Sequence, residues 1–316
     1  MDHTAHAVSR PRAYADRLAA LESGTPSAVS LREGVALAQH HALATDARVM
    51  LLGESVGRLG GAFGSSEGLQ ARFGAERVID LPISSAGAVG LAIGLALAGK
   101  RPVVELGGAL GPALGQLQQE LAAPGAENPT PIVLRWVQDT PDAPVPVGVV
   151  ADVHNLQIAL PSTPQDAQGL ILGALQQDGA VLIIETVSVL GEEGQHSVTP
   201  VPMGRANVRS SGDQLTVITA GSGVKAALAA AAESDVSIEV IDLVSLRPLD
   251  LPTIVASVSR TGRVLLAAEP GWGAVSEEIL GAVTRACFLH LESPPQTVTA
   301  STAAAIVEAA SQSLHY

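Results

Sequence analysis

The sequence predicts an α/β protein of two domains, each a parallel sheet covered by helices. Three observations carry this expectation. Short apolar bursts of strand length alternate with amphipathic or small-residue stretches of helix length. The chain's 316 residues exceed what one hydrophobic core usually organises. A polar segment containing Gly and Pro, over 191–202, breaks the alternation past the middle of the chain. The expected organisation is an N-terminal arm over 1–28, a first domain over 29–190, a linker over 191–204 and a second domain over 205–316.

Residues Met1 to Gly24 mix His, Arg, Asp and Ala without the apolar block of a secretory signal, so they read as an arm. Order should begin at Ser30, because Ser30-Leu-Arg-Glu33 is a capping-box pattern in which hydroxyl and carboxylate satisfy the first free amides of a helix over 31–43. Val49–Leu52, Val103–Leu106, Ile132–Leu134 and Val181–Ile184 read as buried strands, with helices near 86–98, 113–122 and 165–176. After the linker, strands are expected at Leu215–Thr219, Ile238–Ile241 and Val264–Ala268, with helices near 223–233, 252–260 and 275–285.

Composition narrows the partners. With 47% hydrophobic but only 2% aromatic residues, the core must be aliphatic, and a large apolar subunit interface is expected. A net charge of −13 argues against nucleic acid or an anionic membrane as the main partner, since both would repel the chain. Cys287, the one cysteine, excludes an internal disulfide and a thiolate zinc site, which fits a cytoplasmic chain. The most apolar run, Ala86 to Ala98, falls short of the roughly 20 residues a membrane helix needs.

Several local patterns admit a chemical reading beside a structural one. Gly53-Glu54-Ser55-Val56-Gly57 matches the Gly-x-Ser-x-Gly nucleophile elbow, and so does Gly64–Gly68. Such an elbow leads straight into a helix, whereas Ser55 is followed by Val-Gly-Arg-Leu-Gly-Gly. Gly221-Ser222-Gly223 opens a helix and could hold an anion on its amides, or could simply be a tight turn. His40-His41 has no carboxylate or cysteine cluster around it in the sequence and reads as exposed. Arg77 and Asp80 read as a surface ion pair.

A family resemblance rests on longer phrases. Gly53-Glu54-Ser55-Val56-Gly57 continues through Gly60-Gly61-Ala62-Phe63, Gly68-Leu69, Phe73-Gly74 and Arg77-Val78-Ile79-Asp80. It runs on through Pro82-Ile83, Gly87, Gly90, Ile93-Gly94, Gly99 and Arg101-Pro102-Val103-Val104-Glu105, then Pro161-Ser162-Thr163-Pro164 and Gly169-Leu170. Ile241-Asp242-Leu243, Arg247-Pro248-Leu249-Asp250, Thr261-Gly262-Arg263 and Glu269 extend it into the second half. In this order they resemble the β subunit of thiamine-diphosphate-dependent 2-oxo acid dehydrogenases, over roughly residues 30–290.

The resemblance implies a pyrimidine-binding transketolase-like domain followed by a transketolase C-terminal-type domain, assembled with α subunits as an α2β2 tetramer. Thiamine diphosphate would be shared, with magnesium held by the α subunit's Gly-Asp-Gly motif. That motif is absent here, since Gly212-Asp213 runs into Gln214-Leu215 and reads as a turn. An acyl-carrier or lipoyl domain is a further implied partner. Gly87, Gly90 and Gly94 would let one helix pack closely on another helix or subunit.

The implied site departs from the family. Thiamine catalysis needs a carboxylate beside the aminopyrimidine to exchange its proton. In Asp80-Leu-Pro-Ile-Ser-Ser85-Ala-Gly87, Ser85 stands where the family has that glutamate. The family's aromatic residue after the Pro-Val-x-Glu phrase is replaced in Glu105-Leu106-Gly107-Gly108, and the family's His-Ser-Gln loop is shortened to Pro141–Gly148, with His154 outside the match. Glu54, Ser85 and Gly107 are therefore the expected cofactor-side residues. Glu54 could instead bond neighbouring amides, and Glu105 reads as a structural acceptor. Two functions stay open: a catalytic β-type subunit acting with an α partner, and a non-catalytic subunit that retains fold and interface.

Overall fold

The computed structural model describes residues 28–108, 110–121, 130–138, 147–300 and 302–315. The expected arm apart from residue 28, and residues 141–146 of the shortened loop, lie outside them.

The chain enters through β1 (Val29–Ser30) and α1 (Leu31–Thr45). The capping box is formed: the Glu33 amide donates to Ser30 Oγ, and the Ser30 amide donates to the Glu33 carboxylate at 2.7 Å. The first half then runs β2 (Val49–Gly53), α2 (Leu69–Phe73), β3 (Val78–Asp80), α3 (Ser85–Leu97), β4 (Arg101–Leu106) and α4 (Gly111–Leu121). It continues through β5 (Val133–Gln138), α5 (Val147–Val150), β6 (Leu156–Ala159), α6 (Pro164–Ala174) and β7 (Ala180–Thr186). After β8 (Glu193–Gly194), the second half runs β9 (Asn207–Ser210), β10 (Leu215–Thr219), α7 (Gly223–Glu233), β11 (Ile238–Asp242), β12 (Ser245–Arg247) and α8 (Leu251–Thr261). It closes with β13 (Val264–Ala268), α9 (Ala274–Cys287), β14 (Gln296–Thr299) and α10 (Ala303–Ser313).

Two open sheets result. The first has the order β12-β6-β7-β5-β4-β2-β3 and is parallel apart from β12. The second has the order β14-β13-β10-β11-β9 and is parallel apart from β9. Near-continuous Val, Leu and Ile runs suit strands buried on both faces. Helices α3 and α4 cover one face of the first sheet through Ala88, Val89, Ala113 and Leu114. Helices α1 and α6 cover the other through Leu31, Val35, Ala167 and Leu170.

The halves are joined in three ways. One apolar cluster runs from Leu134 and Ile184 of the first sheet to Ile241 and Leu266 of the second. The three residues of β12, from the second half, extend the first sheet along β6. Between them Ser162 Oγ donates to Asp242 at 2.6 Å, while Arg209 bonds both Asp242 and Asp166. The segment over 191–204 is a packed strap: β8 pairs with β1, and the Val201 amide donates to the Gly169 carbonyl at 2.8 Å.

Two local expectations are corrected. His40 is buried, its ring 5.2 Å from that of Phe73, because it falls on the inward face of α1. Arg77 does not pair with Asp80; it donates to the carbonyls of Asp46 and Val49, while Asp80 binds the Gly57 amide and Arg58. The N-terminus of α7 already holds an anion of its own chain, since Ser222 Oγ and the Gly223 amide donate to Glu269. Burial pushes the Glu269 carboxyl above its ordinary pKa. Gly212-Asp213 is a turn, with no room for a Cβ at Gly212 against the backbone of Ile238 and Glu239.

Candidate functional site

The C-terminal ends of parallel strands are where an open α/β sheet places a ligand site, and the expected residues lie there. Strand β2 ends at Gly53, where a Cβ would come within 2.8 Å of the Glu105 carbonyl on adjacent β4. The chain leaves into the exposed Glu54 and a turn at Ser55 with φ 56°. This loop is pinned twice. The Gly57 amide donates to Asp80 Oδ1 at 2.6 Å, and the Ala62 amide and Ser65 Oγ donate to the Glu105 carboxylate at 3.0 and 2.9 Å.

Ser84 caps α3, accepting from the Gly87 amide, so Ser85 is the first helical residue. Its hydroxyl donates to the Gly107 carbonyl at 3.2 Å. A Cβ on Gly107 would sit 3.3 Å from Glu54 Oε2. Glu54, Ser85 and Gly107 are thus brought together from three elements. Ser55 leads into turns rather than a helix, so no nucleophile elbow is formed. Gly90 and Gly94 have open space where a Cβ would be, and Leu91 and Leu97 of the same helix are 42% and 62% exposed, so part of the apolar surface of α3 is uncovered among the described residues.

Beneath the loop lies a charged cluster of which the sequence reading singled out Glu105 alone, as a structural acceptor. Arg135 is 1% exposed and bonds Glu185, itself 0% exposed, through both Nε and Nη2 at 2.8 and 2.9 Å; Nη1 reaches Glu105 at 3.2 Å. Burial opposes the guanidinium's charge, but the two carboxylates outweigh it and hold its pKa above the ordinary value. An arginine within Ile-Val-Leu-Arg-Trp-Val and a glutamate within Val-Leu-Ile-Ile-Glu-Thr are signals that could have revealed it, since charges on strands buried on both faces must find partners.

Trp136 was also missed. It pairs in register with Leu106, and its indole N–H donates to the Gly108 carbonyl at 3.0 Å. Two side chains, Ser85 and Trp136, therefore hold successive carbonyls of the turn after β4. A surface cavity of about 840 Å³, lined by residues including Asn155, Gln157, Gln177, Pro202 and Arg247, opens at the opposite end of the sheet, where β6 and β7 begin. Among the described residues no group of three or more His, Cys, Asp or Glu side chains could hold a metal, and no helix is long and apolar enough to cross a membrane.

Residues 27–107 match the transketolase pyrimidine-binding domain and residues 204–315 the transketolase C-terminal domain. The chain is 38% identical over 277 residues to the pyruvate dehydrogenase E1 component subunit beta of Leifsonia xyli, covering 80% of each chain. It is 34% identical over 310 residues to the 2-oxoisovalerate dehydrogenase subunit beta of Pseudomonas aeruginosa, covering 87% of this chain and 88% of that one. Among solved structures, a split-gene transketolase described as an inactive β4 tetramer superposes with a TM-score of 0.71 at 19% identity, over 91% of this chain and 98% of that one.

Proposed function

Since this chain belongs to the family of β subunits of 2-oxo acid dehydrogenases, we propose that it is the β-type half of a thiamine-diphosphate-dependent enzyme, either a 2-oxo acid decarboxylase or a ketol-transferring relative. It works only with an α subunit that carries the magnesium and diphosphate, as an α2β2 assembly in the cytoplasm, and passes its acyl group to a lipoyl or other carrier domain. The observation that carries this reading is the convergence of Glu54, Ser85 and Gly107 at the C-terminal ends of adjacent strands.

The residues present fit the pyrimidine half of the cofactor. A hydroxyl, an exposed carboxylate and glycine backbone surround the turn, and no side chain on Gly107 or Gly108 obstructs it. They do not fit the diphosphate half, for which the described residues provide no metal cluster. When bound, thiamine diphosphate is the electron sink for loss of carbon dioxide from a 2-oxo acid. In this half-site Glu54 would accept from the pyrimidine edge, and Ser85 would orient that edge without exchanging a proton near neutral pH.

A second reading, a non-catalytic structural or regulatory subunit, is favoured by one observation: the Ser85 hydroxyl already donates to the Gly107 carbonyl, a packing contact that needs no cofactor. Co-expression with an α-type chain bearing the Gly-Asp-Gly motif, followed by calorimetric titration of thiamine diphosphate with magnesium, separates the two. Saturable uptake by the pair, with turnover, supports the catalytic subunit. An intact assembly that takes up no cofactor supports the structural one.

A further inference from the structure

The turn after β4 is gripped from both sides, and one grip is aromatic. We propose that Trp136 is a positioning residue of the shared site: it furnishes the aromatic wall missing after Glu105 and fixes the turn that presents Gly107. This rests on the thiamine-diphosphate reading above.

The register Leu106↔Trp136 puts the indole beside the last residue of β4. Side chains alternate faces along a strand, so Leu134 and Trp136 share one apolar cluster with Leu106, Ala88 and Val89, on the face covered by α3 and its Ser85. Arg135 turns to the opposite face, toward Glu105 and Glu185. Trp136 is 9% exposed, and its N–H meets a buried indole's need for an acceptor at the Gly108 carbonyl.

Gly108 itself has φ 65°, a conformation in which an aromatic side chain would be strained. Position 108 therefore disfavours a ring, and the neighbouring strand supplies one. Removal of the indole N–H takes away the grip on the Gly108 carbonyl while that of Ser85 on Gly107 remains.

The test uses the assembled pair, with the β chain labelled with 5-fluorotryptophan and the α chain unlabelled. The two fluorine resonances, from Trp136 and Trp272, are assigned with Trp272→Phe. Saturation with thiamine diphosphate and magnesium should shift the Trp136 resonance and leave that of Trp272 in place. Trp136→Phe, which keeps a ring but loses the N–H, should weaken cofactor binding about fivefold, the scale of one neutral hydrogen bond; Trp136→Leu should weaken it further. Binding by the wild-type pair with an unmoved Trp136 resonance, or variants that bind as tightly as wild type, overturns this assignment alone. A wild-type pair that binds no cofactor overturns the underlying reading and this assignment together.

Discussion

The Ser85 hydroxyl donates to the Gly107 carbonyl across 3.2 Å, joining the first turn of α3 to the turn after β4. Ser85 is the first helical residue, a place where the helix dipole favours a carboxylate, so Ser85→Glu is tolerated by the fold. It also places a proton-exchanging acid at the same strand ends. In the pair with an α subunit, Ser85→Glu should accelerate deuterium exchange at the cofactor's reactive ring carbon by about 100-fold or more, the lower range for a positioned acid–base group. A correctly folded variant with no gain would sink the assignment of Ser85 to the glutamate position.

Arg135 neutralises one of two buried carboxylates while bonding both. Its removal leaves Glu105 and Glu185 without a cation in a site excluded from water. Arg135→Met should cost about 3–5 kcal/mol in urea unfolding, the range for breaking a buried pair. Adding Glu185→Gln to that variant should recover much of the loss. Equal stability of wild type and Arg135→Met would show that the cluster is solvated in solution.

Much of this fold is legible in the sequence, for a physical reason: the strands of the parallel sheets are continuous aliphatic runs, and all seven strands read from the sequence end within four residues of their observed ends, two of them with no difference. What escaped is short or set by distant partners. The four residues of β6, Leu-Gln-Ile-Ala, carry too little pattern, and the three of β12 become a strand only because Leu160 and its neighbours offer a sheet edge. His40 looked exposed because its partner Phe73 arrives from another element. At the site, Ser85 and Gly107 were readable from phrase order, whereas Trp136 depends on strand register, which no local pattern encodes.

Glu269 gives the stability a sign with pH. Burial raises its folded pKa above the unfolded value, so between those two values the folded state binds more protons. Its stabilising contribution is complete below the unfolded pKa and is lost as pH rises through the folded one. Glu269→Gln, which can still accept from the Gly223 amide, should flatten that part of the stability–pH curve and unfold no more readily than wild type at neutral pH. Parallel curves for the two proteins would place the charge of Glu269 in a solvated setting.

Two helix glycines, one of them packed on the strap over 191–204, supply substitutions with opposite signs. A Cβ on Gly173 in α6 would collide with the Val201 carbonyl, a backbone atom that cannot rotate aside. Gly115 in α4 is exposed, and a Cβ there meets nothing within 4 Å. Gly173→Ala should therefore cost roughly 1–3 kcal/mol, as overpacking does, and should speed proteolytic cleavage between residues 195 and 203. Gly115→Ala should stabilise the isolated chain by about 0.5–1 kcal/mol, because alanine loses less backbone entropy in a helix interior. If both substitutions raise the urea midpoint, helix propensity rather than the strap's contact governs residue 173, and the strap is not seated on α6 in solution.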